Sequence, residues 1–255
     1  MKHARPVVGL MSLVLVLCAS SSIYAGPVTI TDNFNDNSLN TSLWAPFSLG
    51  DGSVSEVGGR LVATIEASPD HESGAAAVAL LLGTIGGNFD VSVHYELLAD
   101  LPLTHGDTGG GLFLGPAAFT FEYGVARDTH TICGPSGCHY ENAYVAAVGG
   151  GEDTVPTTDL SGALRLTRVG SSFSAYYRSE GLSDWQWIAS GTGSTDPLPF
   201  LALGVTIQGP ESVSFAFDDF TLVADEFTQV PDPGSTLLLL GIGLAALRAL
   251  KNRLG

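Results

Sequence analysis

Apolar and polar residues alternate along most of this chain with a period of two. Phe89, Val91, Val93, Tyr95 and Leu97 alternate with Asp90, Ser92, His94 and Glu96, the pattern of a strand with one buried face. Phe119, Phe121, Tyr123 and Val125 alternate in the same way with Thr120 and Glu122. Further strands are predicted at 28–34, 60–66, 76–82, 140–148, 163–169, 173–178, 185–190, 200–208 and 213–223. Gly, Pro, Asn, Asp and Ser clusters separate them at intervals of roughly 8–12 residues, and no segment has helical periodicity. The last strand changes phase: Val213, Phe215 and Phe217 share one face, whereas Phe220 and Leu222 fall on the other. One extra residue at Asp218-Asp219 restores the phase, so a β-bulge is expected there. The pattern predicts an all-β, antiparallel β-sandwich.

The two ends differ from this body. Lys2, His3 and Arg5 precede an apolar run from Val7 to Cys18, and the segment that follows ends in Ala25. This reads as a signal peptide over 1–25, cleaved after Ala25. Leu17 is too large for the residue before a lipidated cysteine, so Cys18 is not assigned that role. At the other end, over 230–255, Val230-Pro231-Asp232-Pro233 is a stiff extended tetrapeptide, since each proline fixes its own φ and restricts its predecessor. Leu237 to Leu247 is uninterruptedly apolar, and Arg248, Lys251 and Arg253 close the chain with positive charge.

That order of prolines, apolar run and basic end resembles the PEP-CTERM sorting signal of Gram-negative bacteria, with Asp232 where the family has Glu. The resemblance implies one C-terminal transmembrane sorting helix and cleavage near Pro231–Pro233 by an exosortase, a membrane-embedded cysteine transpeptidase. Residues 236–250 as a helix span roughly 22 Å at ~1.5 Å per residue, short of a ~30 Å hydrocarbon core. Arg248, Lys251 and Arg253 can snorkel to the cytoplasmic headgroups. A transient anchor in the inner membrane is therefore expected, followed by release to the cell surface or beyond it.

With the ends removed, residues 26–229 remain as one domain. They contain five arginines (Arg60, Arg127, Arg165, Arg168, Arg178), no lysine and 25 acidic residues, a net charge of −20. Such a surface repels nucleic acid and favours solubility and divalent cations. Two cysteines lie in Cys133-Gly-Pro-Ser-Gly-Cys138, a turn between strands. A disulfide across it is expected in an oxidising compartment. The alternative is a metal site with the flanking His130 and His139, at a spacing unlike a zinc finger.

Asp32-Asn33-Phe34 with Trp44, Gly59-Arg60-Leu61, Leu164-Arg165-Leu166, Phe173 to Arg178, Trp185 and Phe217-Asp218-Asp219-Phe220 together resemble a concanavalin A-like jelly roll of the laminin-G type. This resemblance implies paired first and last strands, with Phe34 near Phe220. It also implies a structural calcium, for which Asp32, Asp218 and Asp219 supply hard oxygens. The fold hosts lectins, adhesion modules and glycosidases, so it does not settle function.

No E-x-D-x-(x)-E run, nucleophile elbow or phosphate loop occurs; Gly109–Gly111 and Gly149–Gly151 read as bends bordering strands. Trp185 and Trp187, two apart on one strand, share a face and can stack on sugar rings, although core burial of at least one is favoured. His71 reads as a loop residue. The expected function is a non-catalytic surface or extracellular-matrix protein, lectin-like, in adhesion or polysaccharide association. The alternative is an exported carbohydrate-active enzyme whose catalytic carboxylates come from separate strands.

Overall fold

The alternation at Phe89–Leu97 becomes alternating burial: Phe89, Val91, Val93, Tyr95 and Leu97 point inward, and the residues between them reach solvent. In the computed structural model the described residues are 26–99, 101, 108–116, 121–134 and 137–229. The signal peptide and the sorting tail lie outside them. Among the described residues no helix is long and apolar enough to cross a membrane.

β1 (Val28–Asp32), β2 (Trp44–Leu49), β3 (Gly52–Val57), β4 (Arg60–Ile65) and β5 (Ala75–Leu81) come first. β6 (Gly83–Leu97), β7 (Thr108–Gly115), β8 (Tyr123–Gly134), β9 (Gly137–Val148) and β10 (Gly151–Pro156) follow. β11 (Ser161–Val169), β12 (Ser172–Ser179), β13 (Gln186–Thr192), β14 (Phe200–Ile207) and β15 (Val213–Gln229) complete the two sheets. One sheet runs β13-β12-β11-β6-β15-β4-β3, with β1 as its eighth strand against β15; the other runs β10-β9-β8-β7-β14-β5-β2. Every pairing is antiparallel.

The expected bulge is present. β15 pairs β4 through Val213–Phe217 and β1 through Phe220–Ala224, and its register on β6 shifts between Asp218 and Thr221. Asp219 takes φ 49°, a left-handed conformation that lets the strand change neighbours there. First and last strands do pair, Asp32 opposite Phe220. Trp44 fills the corner, 5.8 Å from the Phe34 ring and 5.0 Å from the Phe220 ring.

Some expectations need correction. Gly109–Gly111 do not bend the chain; they sit inside β7. A β-carbon at Gly110 would stand 2.6 Å from the Phe215 ring, and one at Gly111 2.7 Å from the Ala126 Cα. Glycine is required by close approach, not by a turn. β2, β3, β7 and β10 lie outside the predicted strands. His71 is not an open loop residue: it lies in a 3₁₀ turn, Pro69–Ser73, and is buried.

The core also holds two arginines. Arg127 Nε donates to the Asp159 carbonyl at 3.0 Å, and its Nη1 donates to the Asp128 carbonyl and to Asn142 Oδ1, both at 3.1 Å. Beside it Tyr144 donates to Asp159 Oδ2 at 2.8 Å, so Tyr95 supplies the proton in the 2.8 Å bond between the two phenols. Burial pushes the Tyr95 phenol up to about 12 and Tyr144 higher still. Burial also opposes the Asp159 charge, but hydrogen bonds from Ser179, Tyr144 and Thr157, with the Arg127 charge, hold its carboxyl below the ordinary value. Arg168 Nε donates to the Gly87 carbonyl at 2.6 Å and its Nη1 to the Asp196 carbonyl at 2.9 Å. Its guanidinium lies against the rings of Phe89 and Phe173, and burial lowers its pKa.

Candidate functional site

With Arg127 and Arg168 inside, the remaining cations of residues 26–229 are Arg60, Arg165 and Arg178. All three project from the outer face of the eight-stranded sheet: Arg165 between the buried Leu164 and Leu166, Arg60 just before the buried Leu61, and Arg178 just after Tyr177. Register sets the rows across that face. Trp187 is opposite Tyr176, Tyr176 opposite Arg165, Arg165 opposite Ser92, and Ser92 opposite Thr221. In the next row Arg178 is opposite Ala163, and Ala163 opposite His94. The small Ala163 side chain lets Arg178 reach across to His94, placing Nη2 3.3 Å from Nε2.

The aromatic end of these rows is exposed. Trp187 is 59% solvent-accessible, and its indole N–H donates to Ser190 Oγ at 2.8 Å. Trp185 is half-buried just ahead of β13, its ring centroid 4.8 Å from the Arg178 guanidinium and 5.5 Å from that of Arg165. The expectation that one of the pair is core therefore fails. Register shifts between Ala175 and Tyr176, so β13 has one more residue than its partner; Ile188 and Ala189 are both buried, and Trp187 is turned outward.

The charges on this face differ in their partners. Arg165 makes a two-pronged bond to Asp90, at 2.8 and 2.5 Å, which raises the arginine's pKa. Arg60 pairs with Glu96. Arg178 faces only His94 and the Trp185 ring and has no carboxylate partner among the described residues. Beside these rows an open depression of about 470 Å³ is lined by Arg60, His94, Glu96, Glu180, Asp218 and Asp219, among others. A second, of about 660 Å³, includes Glu122, Gly149–Gly151 and Glu152 in its lining.

The expected calcium trio does not fit the ion. Asp32 Oδ2 accepts from the Trp44 indole N–H at 2.9 Å, and Oδ1 from the Phe34 amide at 3.0 Å. Asp218 Oδ1 accepts from the Asp219 amide at 2.7 Å, and Asp218 is in register with His94, not with Asp32. Among the described residues no three His, Cys, Asp or Glu side chains form a metal-binding group. Asp32→Asn is expected to cost about 1–3 kcal/mol through the weakened corner. Chemical denaturation with calcium and with EDTA checks this: equal losses in both fit the corner role, and a loss confined to calcium buffer contradicts it.

Cys133 and Cys138 are register partners across the β8–β9 hairpin. His130 Nδ1 is 3.2 Å from Glu152 Oε1, so this histidine is engaged by a carboxylate.

Three comparisons bear on identity. Residues 229–254 match the VPDSG-CTERM motif. The tail carries a sorting motif. It is the VPDSG form, not the expected PEP form: Val230, Pro231, Asp232 and Gly234 spell four of its five letters, with Pro233 at the serine. Asp232 is therefore a regular letter of the motif and no departure. No curated protein matches the chain.

Solved structures match the body in fold. The metal-free VIP36 exoplasmic/lumenal domain has a TM-score of 0.54 and 11% identity, covering 82% of this chain and 98% of that one. A Bauhinia forficata lectin in complex with GalNAc has a TM-score of 0.52 and 10% identity, covering 80% and 99%. A glycosyl hydrolase family protein from Mycobacterium fortuitum has a TM-score of 0.50 and 12% identity, covering 76% and 98%. At such identities the likeness establishes the fold, a lectin-like antiparallel sandwich of two sheets.

Proposed function

We propose that this is an exported, non-catalytic surface or matrix protein that binds polysaccharide through the outer face of its eight-stranded sheet. The signal peptide (1–25) is removed after Ala25. The tail (230–255) holds the chain in the inner membrane until an exosortase-type transpeptidase cuts near Pro231–Pro233, and the body (26–229) is released for adhesion or matrix association. In the oxidising exterior Cys133 and Cys138 close the hairpin tip as a disulfide, a reading that their register supports. The sorting motif and the lectin-like fold support the rest. VIP36 has also been solved in a Ca²⁺/Man3GlcNAc-bound form.

The observation that carries the reading is the exposed indole of Trp187, set on a sheet face beside Trp185. Indoles stack on the apolar faces of sugar rings, and the Ser, Thr and His hydroxyls and ring nitrogens along the rows suit sugar hydroxyls. On a glycan array, the full-length chain in detergent is expected to bind polysaccharide. Trp187→Ala is expected to weaken binding about tenfold or more, the loss of one stacked ring. Absence of binding to any glycan contradicts the reading.

A second reading, a glycosidase, has its seat in the larger depression, where Glu122 and Glu152 come from separate strand regions. Release of reducing sugar, abolished by Glu122→Gln or Glu152→Gln, would replace the non-catalytic reading with this one.

A further inference from the structure

We propose that the glycan taken by the outer face is acidic, a uronate-bearing polysaccharide, with Arg178 as the residue that meets its carboxylate. This rests on the glycan-binding reading and specifies its ligand class.

Charge placement is the first ground. The body spends 25 acidic residues and only five arginines, two of them buried, yet the three cations that reach solvent share one face. That distribution gives this face all of the solvent-reaching guanidiniums of the body, set among the face's own Asp90, Glu96 and Asp218. Long-range repulsion from the acidic surface is screened over about 8 Å at physiological salt, so contact chemistry on the face decides what binds.

Partnering is the second ground. Arg60 and Arg165 are neutralised by Glu96 and Asp90, but Arg178 meets a histidine ring nitrogen and an indole face. A planar guanidinium with free N–H donors is matched to a carboxylate, which it binds in a fork. The stack on Trp185 and the reach to His94 fix Arg178 in place, so little side-chain freedom is lost on binding.

Position is the third. Arg178 contacts Trp185, and Trp187 is two residues further along the chain, in register with Tyr176 on the same face. A sugar ring on the aromatic end thus sits beside the arginine. A uronate carries its carboxylate at the ring's edge, in the plane of the stacked ring, where such a neighbour can reach it. Neutral hexoses leave the Arg178 charge without a counterpart.

The test compares polygalacturonate with its fully methyl-esterified form, which keeps the ring and removes the charge. Binding of the full-length chain in detergent is measured by affinity electrophoresis or calorimetry at low and high salt, for wild type, Arg178→Gln, Arg178→Lys and Trp187→Ala, with far-UV circular dichroism as the fold check. The wild type is expected to bind the acid form about tenfold or more tightly than the ester, and to lose that preference in high salt. Arg178→Gln brings acid binding down to the level of the ester, Arg178→Lys keeps part of the preference, and Trp187→Ala weakens both forms. Equal binding of acid and ester, or an acid preference that survives Arg178→Gln, overturns the inference and leaves the glycan reading standing. No binding to either polymer overturns the inference, and no binding to any glycan on the array overturns both.

Discussion

Replacing Trp44 by alanine is expected to remove about 3–5 kcal/mol of stability, the range for deleting a fully buried large aromatic. The indole is 0% exposed, and its ring meets those of Phe34 and Phe220, which belong to the start of the chain and its last strand. Truncation opens a cavity where β1 closes on β15 and leaves Asp32 Oδ2 without the indole N–H that it accepts. Domains of this kind hold only about 5–15 kcal/mol in total, so the loss takes a large share of it. Trp44→Phe separates the two causes. It retains a ring and loses the donor, for an expected cost of about 1–3 kcal/mol. Denaturant midpoints measure both; a loss below about 1 kcal/mol for Trp44→Ala contradicts the corner's role.

The second large effect is at Arg168. This guanidinium lies fully inside, bonded to the carbonyls of Gly87 and Asp196 and in contact with Phe89 and Phe173. Burial works against its charge and the carbonyl bonds offset part of that cost. Alanine removes the donors and the volume together, for an expected loss of about 3–5 kcal/mol. Methionine fills most of the space and also relieves the core of a charge, so its expected cost is about 1–3 kcal/mol, set by the two orphaned carbonyls. Equal losses for the two variants would show that the donors alone matter and that packing does not.

These two sites illustrate what the sequence discloses. The period-two run at Phe89–Leu97 and the phase change at Asp218-Asp219 predict β6 and the bulge in β15, because a strand's side-chain direction follows directly from its spacing. The pairing of first and last strands followed from the jelly-roll resemblance, and Trp44 with Phe34 and Phe220 realises it. The glycines of β7 misled, since a glycine required by a neighbouring ring and one required by a turn look alike in a single sequence. The tryptophans misled for a related reason: the fate of Trp187 depends on one additional residue in β13 against β12, which no local pattern marks. Asp32 was expected as an oxygen ligand from the jelly-roll resemblance, but one of its oxygens accepts from the Trp44 indole, 12 residues away, and the other from the Phe34 amide. Nor does any motif mark the gathering of Arg60, Arg165 and Arg178 on one face; it emerges only when register aligns five strands, β12-β11-β6-β15-β4.

The outer face is tested most directly through the chain's three tryptophans. Labelled with fluorotryptophan and observed by ¹⁹F NMR, they give one resonance each, with Trp44 as an internal control sealed in the core. Titration with oligogalacturonate is predicted to shift the Trp185 and Trp187 resonances and leave Trp44 in place. Saturable binding that leaves both surface resonances unmoved would locate the ligand elsewhere and contradict the account.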